Sequence, residues 1–170
     1  MDVLHLERLP LAKPYPQQVD HIEALLLRDP LVLWKPRVLV DWAGVGRPVL
    51  DMFLERPALR FTEGVVITAG RETTAIPAGW SALKVELVGK LQALLHSQQL
   101  KIPRAMPEAA VLSRELHDLR VRYTEAGHAT FNARESAHDD LARALALAVF
   151  GLSRPEFAIA ADLKVAREWR

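Results

Sequence analysis

Three acids in this chain are placed to do chemistry. Asp41 closes the apolar run Val38-Leu39-Val40, and Asp139 and Asp140 open the long apolar segment that runs to Leu152. In open α/β sheets the reactive groups lie outside the carboxyl ends of strands, which is where Asp41 falls. A carboxylate from a strand end and others from a helix start supply hard oxygen donors suited to Mg²⁺ or Mn²⁺. Two such ions can polarise a phosphodiester and activate water. Each acid also has an ordinary explanation. Asp41 can serve as a turn or helix-cap residue. Asp139 has capping-box spacing from Ser136 and stands four residues before Arg143, the favourable direction for a helical ion pair. Asp140 has Ala144 and Leu147 one and two turns on, so its face is expected to turn inward, where a carboxylate is costly unless paired or bound to a cation. On that ground Asp140 is expected to outrank Asp139 as a ligand. His138 beside them is a helix-start residue or a hydrogen-bond partner.

Other chemistry finds no support. Gly44-Val45-Gly46 lacks the third glycine of a dinucleotide fingerprint and reads as a tight strand-to-helix turn; no Walker A or Gly-x-Ser-x-Gly sequence occurs. The 6 histidines show no zinc spacing, and the absence of cysteine removes disulfides and thiolate ligands, which fits a reducing cytosol. With 170 residues, 50% hydrophobic and 25% charged, the chain fits one globular domain with a real core. The formal charge of +1 does not announce nucleic-acid binding, so a local patch would have to supply it. Asp2, His5, Glu7 and Arg8 are unlike a signal peptide, and the segment from Leu141 to Leu152 is too short to span a bilayer.

The elements that must position the acids follow from periodicity. Val38 to Val40 and Gly64 to Thr68 are apolar runs typical of strands buried on both faces. Asp41 leads through two glycines into an apolar-spaced helix from about Pro48 to Glu55. Residues 17–28, 82–98 and 107–119 have helical spacing, clearest in Leu83, Leu87, Leu91, Leu94 and Leu95. Val3 to Leu11 alternates loosely, as a strand would. Residues 71–77 suggest a short strand, 77–81 a loop and 100–102 a short strand at most. Residues 120–132 read as a hairpin turning at Glu125-Ala126-Gly127. The segment from about Ala137 to Gly151 is apolar nearly all round and is expected to be a buried helix, with 152–170 as a tail or a final helix.

The stretch Asp41-Trp42-Ala43-Gly44-Val45-Gly46-Arg47-Pro48-Val49-Leu50-Asp51 resembles the D-x-x-G-V-G-R-P-V-x-D stretch of phage and prophage terminase large subunits. So do Leu83-Lys84-Val85-Glu86-Leu87, Leu112-Ser113-Arg114-Glu115-Leu116 and His138-Asp139-Asp140-Leu141-Ala142-Arg143-Ala144-Leu145-Ala146. Their order and spacing match the family's C-terminal nuclease domain over about Leu6 to Phe150. The resemblance implies an α/β, ribonuclease H-like mixed sheet flanked by helices, formed by residues 1–170 as a single domain. It further implies endonucleolytic cutting of double-stranded DNA during genome packaging by a two-metal cluster of acids. Asp41 matches the acid that ends the fourth strand, and the pair Asp139-Asp140 matches the acids of the last helix. Lys84 falls on a recurrent lysine after a proline-containing loop, though Leu83 and Val85 depart from that pattern, and it reads equally as a plain helix-start lysine.

The same resemblance implies an N-terminal truncation. The chain is expected to begin in the family's third strand, with residues 1–12 as a partial strand region, so that the first two strands and the first catalytic Asp are absent. Val3 to Leu9 would then pair in a position foreign to the family, or a second chain, such as a homodimer partner, would fill the gap beside Asp41. Metal, as Mg²⁺ or Mn²⁺, is expected at Asp41, Asp140 and Asp139, with Lys84, Arg47, Arg120 and Arg122 as candidate phosphate contacts or merely solvated cations. Terminase or portal subunits are further expected partners, in the cytoplasm of a bacterial host and without a membrane. The rival reading is a non-catalytic DNA-packaging assembly or DNA-binding module, or a fragment complemented by a separately encoded chain.

Overall fold

The computed structural model describes residues 1–44, 46–118, 121–123, 129–131 and 139–154. The apolar run ending at Asp41 becomes strand β1, Leu39–Asp41, preceded by helices α1, Tyr15–Leu26, and α2, Leu31–Trp34. A short turn leads to α3, Gly46–Leu54, and Pro48 sits in its first turn, where the missing N–H costs nothing. Strand β2, Glu63–Thr68, pairs in parallel with β1, with Leu39 opposite Glu63 and Asp41 opposite Val65. Strands β3, Thr74–Ile76, and β4, Gly79–Leu83, follow. β4 is parallel to β2 and antiparallel to β3, so the sheet order is β1-β2-β4-β3.

β4 runs without a loop into α4, Lys84–His96, and α5, Ala109–Asp118, follows. Val121–Tyr123 (β5) and Ala129–Phe131 (β6) form the expected antiparallel pair. The last described helix, α6, is Asp140–Leu152. Residues 124–128 of the hairpin turn, together with Ser136, His138, Arg120 and the tail from 155, lie outside the described residues.

Period-two alternation along β1 decides what faces what. Val38 and Val40 pack with Val19 of α1 and Phe53 of α3 on one side of the sheet. Leu39 joins the larger cluster on the other side, with Leu87 and Leu91 of α4 and Leu145 and Phe150 of α6. Asp41 shares the parity of Leu39 and therefore points to the α6 side. The result is a sheet between two helical layers. Among the described residues β1 ends the sheet. Val38 O and Trp42 N are taken up by Glu63 N and Val65 O, so alternation turns the backbone groups of Leu39 and Asp41 toward the outer edge.

Two expectations are corrected. Residues 79–81, read as loop, are the start of β4. Val3 to Leu11 forms no strand; its pairing is a single parallel bridge between Asp2 and Lys101, with Val3 N donating to Lys101 O at 2.9 Å. Val3 and Leu6 nevertheless pack on the main core beside Leu100 and Leu112. Among the described residues no helix is long and apolar enough to cross a membrane.

Candidate functional site

The turn after β1 sets the position of Asp41. Gly44 takes a φ of +61°, and Gly46 presses α3 against the strand end so closely that a Cβ there would lie 2.7 Å from the Asp41 carbonyl oxygen. The Asp41 carboxylate is anchored on one side: its Oδ1 accepts the Ala43 N–H at 2.9 Å, an Asx turn. Its Oδ2 faces α6, 3.4 Å from Arg143 Nη1.

Asp139 approaches the same guanidinium from the helix start. Arg143 Nη2 donates to Asp139 Oδ1 at 2.7 Å, the ion pair one helical turn apart that the spacing indicates. One guanidinium is thus shared by two carboxylates from elements about a hundred residues apart in sequence. Burial pushes the Arg143 pKa down, but the hydrogen bond and charge of Asp139 and the charge of Asp41 outweigh it and raise it above its ordinary value. A cleft of about 190 Å³ opens here, lined by Asp41, Lys84, Asp139 and Arg143 over an apolar floor that includes Ile67 and Leu87. Lys84 reaches it because it is the first residue of α4, at the carboxyl end of β4, just as Asp41 is at the end of β1.

The exposure of the two helix acids is the reverse of the expected one. Asp140 has 53% of its side chain exposed, and Asp139 15%. The inward reading of Asp140 relied on Ala144 and Leu147; Leu147 is buried, yet Ala144 and Ala148 are exposed, and the buried face also includes Leu141, Leu145, Val149 and Phe150. Alanine contributes too little apolar area to turn a helix face inward. Asp140 instead lies 3.9 Å from Arg8 Nη1.

Arg47 is not part of the cleft lining. Its guanidinium stacks over Trp42, 5.1 Å from the ring centroid, and the parity of Trp42 is that of Val40, on the α3 side. Arg122 lies in β5, and Arg120 is outside the described residues. Among the described residues no group of three His, Asp or Glu side chains is arranged to hold a metal ion.

Two buried acids escaped the sequence reading. Glu63 is 3% and Glu115 7% exposed. Glu115 carried a usable signal, because it stands three residues after the fully buried Leu112 and so shares its inward face.

No family model matches the sequence, and neither does any curated protein. Solved structures do match. The large terminase nuclease from thermophilic phage G20c with bound cobalt superposes with a TM-score of 0.59 at 21% identity, over 81% of this chain and 62% of that one. The same nuclease with bound magnesium gives 0.58 at 22% over the same shares, and a third crystal structure of it gives 0.54 at 23%. The chain thus spans 62% of the length of these neighbours. The likeness establishes the fold, that of a large terminase nuclease: a ribonuclease H-like mixed sheet flanked by helices.

Proposed function

We propose that this chain is the nuclease part of a viral DNA-packaging terminase, cutting double-stranded DNA with divalent cations held at the cleft between β1 and α6. The observation that carries the reading is the convergence of Asp41 and Asp139 on one cation. Two hard-oxygen carboxylates already share a positive charge there, so the donor set fits Mg²⁺ or Mn²⁺. Asp41 and Asp139 would be the principal ligands, with Asp140 at the mouth of the cleft in support. A metal bound there would polarise a phosphodiester and lower the pKa of water. The chain's own contribution is to fix both carboxylates on rigid elements and to set Lys84 beside them for a phosphate. Two of the solved neighbours carry bound cobalt and bound magnesium, which agrees with the donor set. Arg47, Arg120 and Arg122 are proposed to contact the DNA backbone away from the cleft.

A second reading has an observation of its own. With two carboxylates already bridged by Arg143, and no triad of ligands among the described residues, the fold also suits a non-catalytic module that binds DNA or a terminase or portal subunit. A further chain, a second copy included, would then add to the outer edge of β1.

Nicking of supercoiled plasmid in Mn²⁺ by this chain decides between the two. Cleavage that disappears in Asp41→Asn and in Asp139→Asn, and weakens less in Asp140→Asn, supports the nuclease. DNA retention without cleavage, or cleavage indifferent to all three substitutions, supports the non-catalytic module.

A further inference from the structure

Asp139 is the N-cap of α6, yet its side chain makes no capping hydrogen bond. An aspartate at that position ordinarily accepts the N–H of the second or third helical residue. Here the third helical residue is Ala142, and its N–H is already taken: Glu115 Oε2, reaching across from α5, accepts it at 2.9 Å. The other oxygen of Glu115 accepts from Arg8, in the segment that precedes α1. Glu115 is nearly buried, and Leu112 on the same face of α5 is fully buried in the core that also holds Leu141 and Leu145 of α6. Its carboxylate is therefore fixed by packing, by a cation and by a backbone donor.

We infer that Glu115 is a positioning residue, which caps α6 from outside so that Asp139 is released from that task and turns into the cleft. The inference rests on the proposed metal-ligand role of Asp139 for its functional meaning, but its physical content does not. Two carboxylates stand at the first turn of α6, and Glu115 holds the Ala142 donor. Glu115 is anchored by Arg8 and buried, where the hydrogen bond to the amide is strengthened. Asp139 pairs with Arg143 and lines the cleft with Asp41. Without Glu115, the helix start would present unsatisfied donors beside a flexible aspartate, and Asp139 would fold back onto them. Arg8, which also lies near Asp140, links the N-terminal segment to this arrangement.

The test compares Glu115→Ala with Glu115→Gln, which keeps a carbonyl oxygen for the Ala142 N–H. Glu115→Leu, which fills the same space, replaces the alanine variant where that does not fold. The first readout is independent of metal: the coupling between Asp139 and Arg143, from a double-mutant cycle of urea unfolding with Asp139→Asn and Arg143→Gln in each background. The second is Mn²⁺ affinity by electron paramagnetic resonance. Coupling is expected in the parent and in Glu115→Gln and is expected to vanish in Glu115→Ala, where Mn²⁺ affinity falls about tenfold. Coupling unchanged in Glu115→Ala, or glutamine no better than alanine, overturns the inference. Mn²⁺ affinity indifferent to Asp139→Asn overturns the metal reading instead, while the coupling readout still decides the role of Glu115.

Discussion

Glu63 offers the sharpest test of what holds α6 over the sheet. Its side chain is 4% exposed and takes Arg37 by both oxygens, from Nε at 2.5 Å and Nη2 at 2.7 Å. The indole N–H of Trp80 donates to the same carboxylate at 2.8 Å. Arg37 Nη1 then donates to the carbonyls of Gly151 at 2.6 Å and Arg154 at 2.9 Å, at the carboxyl end of α6. One carboxylate therefore ties β2, β4, the lead-in to β1 and the last helix together. Asp139 stands at the other end of that helix, so the clamp sets the line along which it reaches Asp41.

Glu63→Ala would strand a guanidinium that is 19% exposed and leave the indole N–H without its acceptor. Breaking a buried pair by removing one partner costs about 3–5 kcal/mol, and an orphaned donor about 1–3 kcal/mol more. The two share one site and do not add fully, so the expected loss is about 4–6 kcal/mol. That is a large share of the roughly 5–15 kcal/mol by which a domain is stable, and at about 2–4 °C per kcal/mol it lowers Tm by about 10–20 °C. Glu63→Gln keeps an acceptor and loses the charge, so it should fall between the two. The double variant Arg37→Met with Glu63→Met should be more stable than Glu63→Ala, because it leaves no charge behind. Urea and thermal unfolding followed by circular dichroism measure all of these. A loss under about 1 kcal/mol for Glu63→Ala, or a double variant worse than the single, would refute the reasoning.

Gly79→Ala should be severe: with a φ of +156°, a Cβ there would run into the Gly64 carbonyl of β2, and the strain and overpacking together should remove about 3 kcal/mol or more in urea unfolding. Arg143→Ala removes the cation that Asp41 and Asp139 share, so Mn²⁺ should bind about tenfold more tightly by calorimetry; weaker binding would show that Arg143 helps the metal rather than displacing it. Glu86 should contribute an acid-sensitive increment. Burial pushes its pKa up, but hydrogen bonds from Lys90 and Thr73, with the charges of Lys90 and Arg154, hold it below the ordinary 4.5. A folded pKa below the unfolded one gives stability that is present above pH 4.5 and is lost as the pH falls through the lowered value. The stability gap between the parent and Glu86→Gln should accordingly close on titration from about pH 7 to about pH 3.

What was legible in the sequence was whatever local pattern determines. Leu39 to Asp41 and Glu63 to Thr68 became strands because continuous apolar runs have few other homes. The leucines from Leu87 to Leu95 placed α4, and the glycine pair placed the turn that presents Asp41. β4 was not legible. Gly79, Trp80 and Ser81 make no apolar run, and the strand exists because β2 and β3 hold it on both sides. The glycine that looked like a loop residue is there to let two backbones approach. Val3 to Leu11 shows the converse, since its alternation is strand-like but its hydrogen bonding stops at one bridge.

The site divides along the same line, and the division explains why Asp139 is more buried than Asp140. Sequence spacing identified the acids and the Asp139–Arg143 pair, which is local, but it weighed Ala144 as though it were Leu. The partners that decide orientation are remote: Asp41 meets Arg143 across 102 residues, and Glu115 meets Arg8 across 107. No periodicity reports such contacts. A buried charge leaves only a negative trace, an acid on a face that should be apolar. Glu115 on the inward face of α5 is such a trace, and its consequence appears one helix away. Glu115 holds the Ala142 amide, and Asp139, the residue with the better local excuse to be a cap, makes no capping bond and lines the cleft. Asp140 stays at the rim near Arg8. On the inferred role of Glu115, the choice between the two acids as proposed ligand turns on which helix-terminal donor is already occupied.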